Sequence, residues 1–190
     1  MRKLDFAVKT FALAQYGSRL GLRREGETVA KEIWRALEGL PRPGVLQVDL
    51  TGLEVLSASF ADAALAGPLY RLVNGELPER YIYAVSPDRE IVEDLGGKLE
   101  QRGLAMLVLF PDSWDVLGKL VPSLREALGL VIGKGEMTSA ELAEILGISP
   151  KAAAVRLKEL SQKRLVHFIA EPRPVGGIRR RAVSFLPPPR

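Results

Sequence analysis

The sequence has no cysteine, a single histidine and few aromatic residues. Without cysteine, the 190-residue chain can form no disulfide, no thiolate metal site and no cysteine nucleophile. The single histidine, His167, excludes multi-histidine metal sites, and its neighbours predict an ordinary strand residue. We therefore expect neither a metal ion nor a cofactor.

Long apolar runs are also missing. The best of them, residues 104–110, is strand-sized and far below the roughly 20 residues that a membrane-spanning helix needs. Asp5 and Lys9 interrupt the N-terminal segment, which argues against a secretory signal. These absences predict a cytoplasmic protein without a membrane segment.

Catalytic motifs are scarce as well. The sequence has no G-x-S-x-G nucleophile elbow, and the glycines and lysine at 96–98 lack the rest of a phosphate-binding loop. We assign no catalytic residue and expect no enzyme. The remote alternative is an enzyme that acts on an unknown substrate at the serine turn of residues 57–59.

What the sequence does have is a globular composition and an uneven charge. Hydrophobic residues make up 47% of the chain, which is enough for a core. Residues 1–120 carry 15 Lys and Arg against 17 Asp and Glu, whereas residues 121–190 carry 12 against 6. The basic C-terminal third favours a polyanionic partner such as nucleic acid.

Alternating patterns predict an α/β domain with a mixed four-stranded sheet. The first strand places Leu4, Phe6, Val8 and Thr10 on one face. Helix-like segments separate the strands, which indicates crossover connections. The predicted strands are LDFAVKTFA, GVLQVDL, RYIYAVS and LAMLVLF.

A boundary between two domains is predicted near residue 120. Asp112 and Ser113 can cap a helix through WDVLGKL, which Pro122 interrupts. Residues 1–120 then form the α/β domain, residues 121–186 a second domain and residues 187–190 an extended tail.

The sequence pattern of the second domain predicts three helices followed by a hairpin. Thr138 or Ser139 can cap the middle helix, and Gly147 can close it. Ser149 can cap the third helix, with Pro150 in its first turn. The motifs TSAELAEILGIS, VRLKEL and KRLV resemble the winged helix-turn-helix family of prokaryotic regulators. The resemblance implies an α+β winged helix that binds DNA, although winged helices also dock proteins.

Helical spacing divides the third helix into two faces. Ala153, Leu157, Leu160 and Arg164 share the buried sector, whereas Lys151, Val155, Lys158 and Gln162 form an outward stripe. Arg156 and Lys163 lie to one side of the helix. The wing arginines, which surround the tip of the predicted hairpin, are Arg173, Arg179, Arg180 and Arg181. The predicted DNA contacts are Ser149, Lys151, Val155, Arg156, Lys158, Lys163, Arg173, Arg179, Arg180 and Arg181.

The outward stripe is poor in residues that read base edges. Phosphate contacts should therefore dominate the affinity for DNA, with a strong dependence on salt. Lys151 can read guanine, Val155 a thymine methyl group, and the wing arginines the width of the minor groove. The alternative is that the wing arginines form a solvent-exposed charge run at a loop tip and bind no DNA.

A second resemblance lies in the first domain. The run DLTGLEVLSASFAD resembles the STAS fold of anti-sigma-factor antagonists, and more closely a STAS-like family with S-x-SFAD after its second strand. The antagonists' phosphorylated serine aligns with Ala58, between Ser57 and Ser59, so their switch does not transfer. Ser57, Ser59 and Asp62 are the predicted partner or switch residues. Local structure is the alternative, with Ser59 as a helix N-cap and Asp62 as its capping-box partner.

We therefore expect a two-domain regulator in which a STAS-like domain senses or docks a partner and a winged helix binds DNA. The alternative is a protein-interaction adaptor whose winged helix docks a protein. A homodimer is compatible with the sequence, because such domains usually read paired half-sites, but no residue pattern requires it.

Overall fold

The computed structural model describes residues 5–172 and 176–187. Its contacts divide the chain into two compact units, one comprising Asp5–Lys119 and the other beginning at Leu120. Each unit has its own sheet.

The first unit contains one large sheet, a two-stranded ladder and a layer of helices. The strands are β1 (Ala7–Ala12), β2 (Arg19–Leu20), β3 (Gly44–Asp49), β4 (Val55–Leu56), β5 (Arg80–Val85), β6 (Ala105–Leu109) and β7 (Trp114–Gly118). The helices are α1 (Arg23–Glu38), α2 (Ala58–Ala61), α3 (Gly67–Val73) and α4 (Glu90–Gln101).

The large sheet follows chain order, β1-β3-β5-β6-β7. The first four strands are parallel, and β7 pairs antiparallel with β6. One sheet face packs on the helices, and its residues belong to the main core cluster. That face includes Phe11, Leu46, Val48, Ile82, Ala84, Met106 and Val108.

The π-helical segment Asp62–Ala66 joins α2 to α3 and contacts all four helices of this unit. Phe60 of α2 is fully buried, as are Ala64 and Leu65 of this segment. Pro68 does not end the helix. Because proline lacks an amide hydrogen, a wider turn in front of it accommodates the ring and the chain continues helically.

Two predictions about this sheet were wrong. Trp114–Gly118 is a fifth strand rather than a helix, because the tight turn closed by the bond from Phe110 N to Ser113 O returns the chain alongside β6. The core face of β1 carries Phe11, while Val8 is 55% exposed. Register explains this, since Phe11 lies beside Val48 on the helix-covered face.

The second unit contains three helices and a three-stranded antiparallel sheet of order β8-β10-β9. Its helices are α5 (Pro122–Lys134), α6 (Ser139–Leu146) and α7 (Pro150–Gln162). Its strands are β8 (Glu136–Thr138), β9 (His167–Pro172) and β10 (Ile178–Val183). His167 is a buried strand residue, as predicted.

Each helix of this unit contributes to its core. Leu124, Leu128 and Val131 are buried on α5, and Leu142 is buried on α6. Among the described residues, no helix has the length and apolar character needed to cross a membrane.

Candidate nucleic-acid interface

The predicted caps bound α6 at both of its ends and start α7. Thr138 Oγ1 accepts a hydrogen bond from Glu141 N at 3.2 Å, and Glu141 Oε2 accepts one from Thr138 N at 2.8 Å. The bond from Thr138 N foremost, and then the bond that Thr138 Oγ1 donates to Glu141 Oε2 at 2.7 Å, lower the pKa of Glu141 to about 2. Gly147 has the left-handed φ of 63° that ends α6. Ser149 Oγ accepts from Ala152 N at 3.1 Å and starts α7.

The two predicted faces of α7 are present in the structure. Ala153, Leu157 and Leu160 are buried. The outward stripe of Lys151, Val155, Lys158 and Gln162 is exposed. The helix thus presents two lysines with a valine between them.

The structure gives the positions of three further residues on or near α7. Arg156 forms an ion pair with Glu126 of α5 at 3.6 Å, which holds its side chain against the protein. Arg164 lies beyond the end of α7, with φ of 60°, so helical spacing does not apply to it. Lys163 is the half-buried C-cap residue of α7.

The wing hairpin, which we define as β9 and β10, presents its consecutive arginines differently. Arg180 is exposed and Arg179 is half-buried. Arg181 is buried, with Nη1 2.7 Å from Glu136 Oε2 and Nη2 3.2 Å from Glu171 Oε1. The prediction that Arg181 faces DNA was therefore wrong, because strand alternation directs it to these two carboxylates.

The fourth arginine predicted at the wing, Arg173, lies outside the described residues. Among the described arginines of the wing hairpin, Arg179 and Arg180 are accessible to solvent.

A concave surface, which we call the wing cleft, lies between α7 and the wing hairpin and has a volume of about 690 Å³. Its cations are Lys151, Lys158 and Arg180, and no carboxylate belongs to its described lining. Val155 and Ile178 bring exposed apolar side chains into it. The wing cleft is therefore positive with an apolar component.

In the first unit, the serine turn has a structural basis. Ser57, and not Ser59, is the N-cap of α2, because Ser57 Oγ accepts from Phe60 N at 3.2 Å. The same hydroxyl donates to Gly21 O at 2.7 Å. Asp94 Oδ2 accepts from Ala58 N at 3.0 Å, so a carboxylate already occupies this helix start. Ser59 is exposed.

Asp62 does not return a capping bond, which corrects the capping-box prediction. Its buried carboxylate accepts from Arg102 Nε at 2.6 Å and Nη2 at 3.0 Å, and from Arg23 Nη1 at 3.0 Å. The Arg102 hydrogen bond, assisted by Arg23, holds the pKa of Asp62 below its usual range. Asp62 therefore joins α1, the π-helical segment and the end of α4.

Sequence reasoning missed the partners of these residues. Arg23, Arg102 and Asp94 carry no local motif that links them to the serine turn. Ile178 could have been found, because an apolar residue at the start of the arginine-rich strand is visible in the sequence. Among the described residues, no group of His, Asp and Glu side chains forms a metal site.

Comparison with known families gives one match. Residues 122–166 match the family model for winged helix-turn-helix DNA-binding domains. The matched segment spans α5, α6, α7 and the approach to β9, so the winged helix expected from the sequence is confirmed. No curated protein matches the chain.

Proposed function

We propose that the chain is a DNA-binding regulator that holds nucleic acid mainly through phosphate contacts from α7 and the wing hairpin. The observation that carries the proposal is the charge of the wing cleft, where Lys151, Lys158 and Arg180 are accompanied by no carboxylate in the described lining. Such a surface attracts a polyanion. The family match of residues 122–166 supports the same function.

Phosphate contacts dominate the proposed mode of binding because the outward stripe offers few hydrogen-bonding base readers. Bidentate readout uses arginine on guanine or asparagine and glutamine on adenine. On this stripe the only such residue is Gln162, in the last turn of α7. Arg156 and Arg181 are engaged by carboxylates of the protein itself.

The proposal gives the first unit a STAS-like role, in which it senses or docks a partner and performs no catalysis. The surface in question surrounds the serine turn. Ser59 is exposed there. Leu22 is 65% exposed and follows Gly21, whose carbonyl oxygen accepts the hydrogen bond from Ser57. Ser57 and Asp62 maintain the shape of this surface, because their polar atoms are committed to internal bonds.

A second candidate function is a protein-interaction adaptor. The observation that favours it is the exposure of Val155 and Ile178, at 47% and 52%. Exposed apolar side chains that share a concave surface are common where proteins dock. An acidic partner would complement the cations of the wing cleft.

Duplex binding across a salt series tests the DNA-binding proposal. We compare the parent protein with the double variant Lys151→Ala and Lys158→Ala. The slope of log Kobs against log salt is negative, and each lost phosphate contact reduces its magnitude by about 0.9. The double variant should therefore show a slope that is shallower by about 2.

The matched control removes two lysines from the first unit. Lys9 and Lys31 are exposed there, and their double alanine variant loses the same net charge. This control should retain the parent slope. Absence of duplex binding by the parent at low salt would overturn the proposal and favour the adaptor, whereas equal losses in both double variants would reduce the effect to net charge.

A further inference from the structure

Val155 occupies a position on α7 that the fold does not need. It is 47% exposed in the middle of the helix. Valine loses side-chain freedom in a helix and so is a poor choice for a solvent-facing helical position. The side chain of Val155 is therefore accessible to a ligand and is not part of the core.

The two cations of α7 in the wing cleft flank Val155. Lys151 lies one turn before it and Lys158 one turn after it, and all three side chains line the wing cleft. An anionic polymer held by both lysines would pass directly over Val155.

The rest of the wing cleft shows the same combination. Ile178, at the start of β10, is 52% exposed and lines it together with Phe168 of β9. The ligand that fits must be anionic and must also offer apolar groups. Duplex DNA has both, because thymine carries a methyl group in the major groove between the phosphate backbones.

We infer that Val155 gives this winged helix a preference for thymine by contacting the C5-methyl group in the major groove, while Lys151 and Lys158 bind phosphates on either side. The inference rests on the proposed function and adds to it the base chemistry that is read. Charge complementarity favours DNA over an apolar protein segment, since no carboxylate accompanies the cations in the described lining of the wing cleft.

The test compares duplexes that differ only in methyl groups. Three probes of equal length are used: an alternating A·T duplex, the same duplex with deoxyuridine in place of thymidine, and an alternating G·C duplex. Uracil keeps every hydrogen-bonding group and every charge of thymine. Burial of one methyl group is worth roughly a fourfold change in affinity, so the parent should bind the thymidine duplex about fourfold more tightly for each contacted methyl.

Two variants assign the effect to the side chain. In Val155→Ala, the ratio of thymidine to deoxyuridine affinity should fall towards one, because the contacting methyl groups are gone. The matched control is Ile145→Ala. Ile145 on α6 is also 52% exposed but does not line the wing cleft, so this variant should keep the parent ratio.

The outcomes separate the inference from the function on which it rests. Salt-dependent binding with equal affinity for the thymidine and deoxyuridine duplexes overturns methyl reading and leaves DNA binding intact. A ratio that survives in Val155→Ala overturns the role of this residue. Failure of the parent to bind any of the three duplexes at low salt overturns the proposed function itself.

Discussion

Consecutive arginines in the wing hairpin show how position within a strand decides what a residue does. Arg180 is exposed, whereas Arg181 contacts Glu136 and Glu171 and is 7% exposed. The two side chains point to opposite faces of the strand, and both of these carboxylates lie on the face of Arg181. Residue type alone would have assigned both to DNA.

Asp62 is the corresponding case in the first unit. Its carboxylate is buried between Arg23 and Arg102, and both arginines stabilise the charged form. A group whose pKa is lower in the folded chain than in the unfolded chain stabilises the fold above its unfolded pKa. That contribution is lost as pH falls through the folded pKa.

We therefore expect Asp62→Asn to destabilise the protein at neutral pH and to matter less in acid. Because Arg23 and Arg102 are partly exposed and water can solvate them, the cost should be about 1 to 2 kcal/mol, below that of breaking a fully buried pair. The difference in unfolding free energy from the parent should be largest near pH 7 and should shrink below the ordinary aspartate pKa of about 4. Urea denaturation across this pH range measures it.

Asp112→Asn provides the control for this experiment, since Asp112 is exposed in the turn before β7. Its stability should follow the parent at every pH. A difference between Asp62→Asn and the parent that stays constant down to acidic pH would contradict the assigned ionisation.

At the scale of elements, the helix layer depends on one close approach. A Cβ atom at Gly26 of α1 would lie 2.7 Å from Phe60 O and 3.1 Å from Ala63 Cβ. The first of these is a backbone atom and cannot rotate away. Glycine therefore allows α1 to pack directly on α2 and on the π-helical segment.

We expect Gly26→Ala to lower the free energy of unfolding by about 2 kcal/mol, because overpacking forces two helices apart. The matched change is Gly97→Ala in α4, where an added Cβ meets nothing within 4 Å. Alanine is the better helix former there, so this variant should gain about 0.5 to 1 kcal/mol. Chemical denaturation of both variants distinguishes close packing from helix propensity, and equal effects of the same sign would contradict this account.

At the scale of the whole molecule, charge is divided unevenly between the two units. The chain up to residue 120 is slightly acidic, and the remainder holds the excess of Lys and Arg. The unit that begins at Leu120 has buried residues on all three of its helices and a sheet of its own. These features predict that it works without the first unit.

A chain of residues 120–190 should fold and bind duplex DNA with the parent's salt slope. The lysines and the exposed arginine of the wing cleft all belong to it. Its stability should be small, since a domain of this size buries a limited apolar area. Circular dichroism on heating and a salt series of duplex binding measure the two properties. A folded fragment with a shallower slope would show that cations of the first unit contribute.

Local sequence predicted the winged helix well because its determinants lie close together in the chain. Thr138, Gly147 and Ser149 act through bonds to residues three or four positions away. The buried and exposed faces of α7 follow from its period. The strand at β7 was missed because five residues after a tight turn carry too short a pattern to separate strand from helix.

What the sequence by itself determined was therefore the local chemistry: the caps, the period of α7, the excess of positive charge beyond residue 120 and the absence of cysteine. Tertiary structure alone decided which polar side chains remain available to a ligand. Arg156, Arg181, Asp62 and Ser57 have partners between 30 and 45 residues away. Because folding brings those partners together from distant parts of the chain, no local pattern records them.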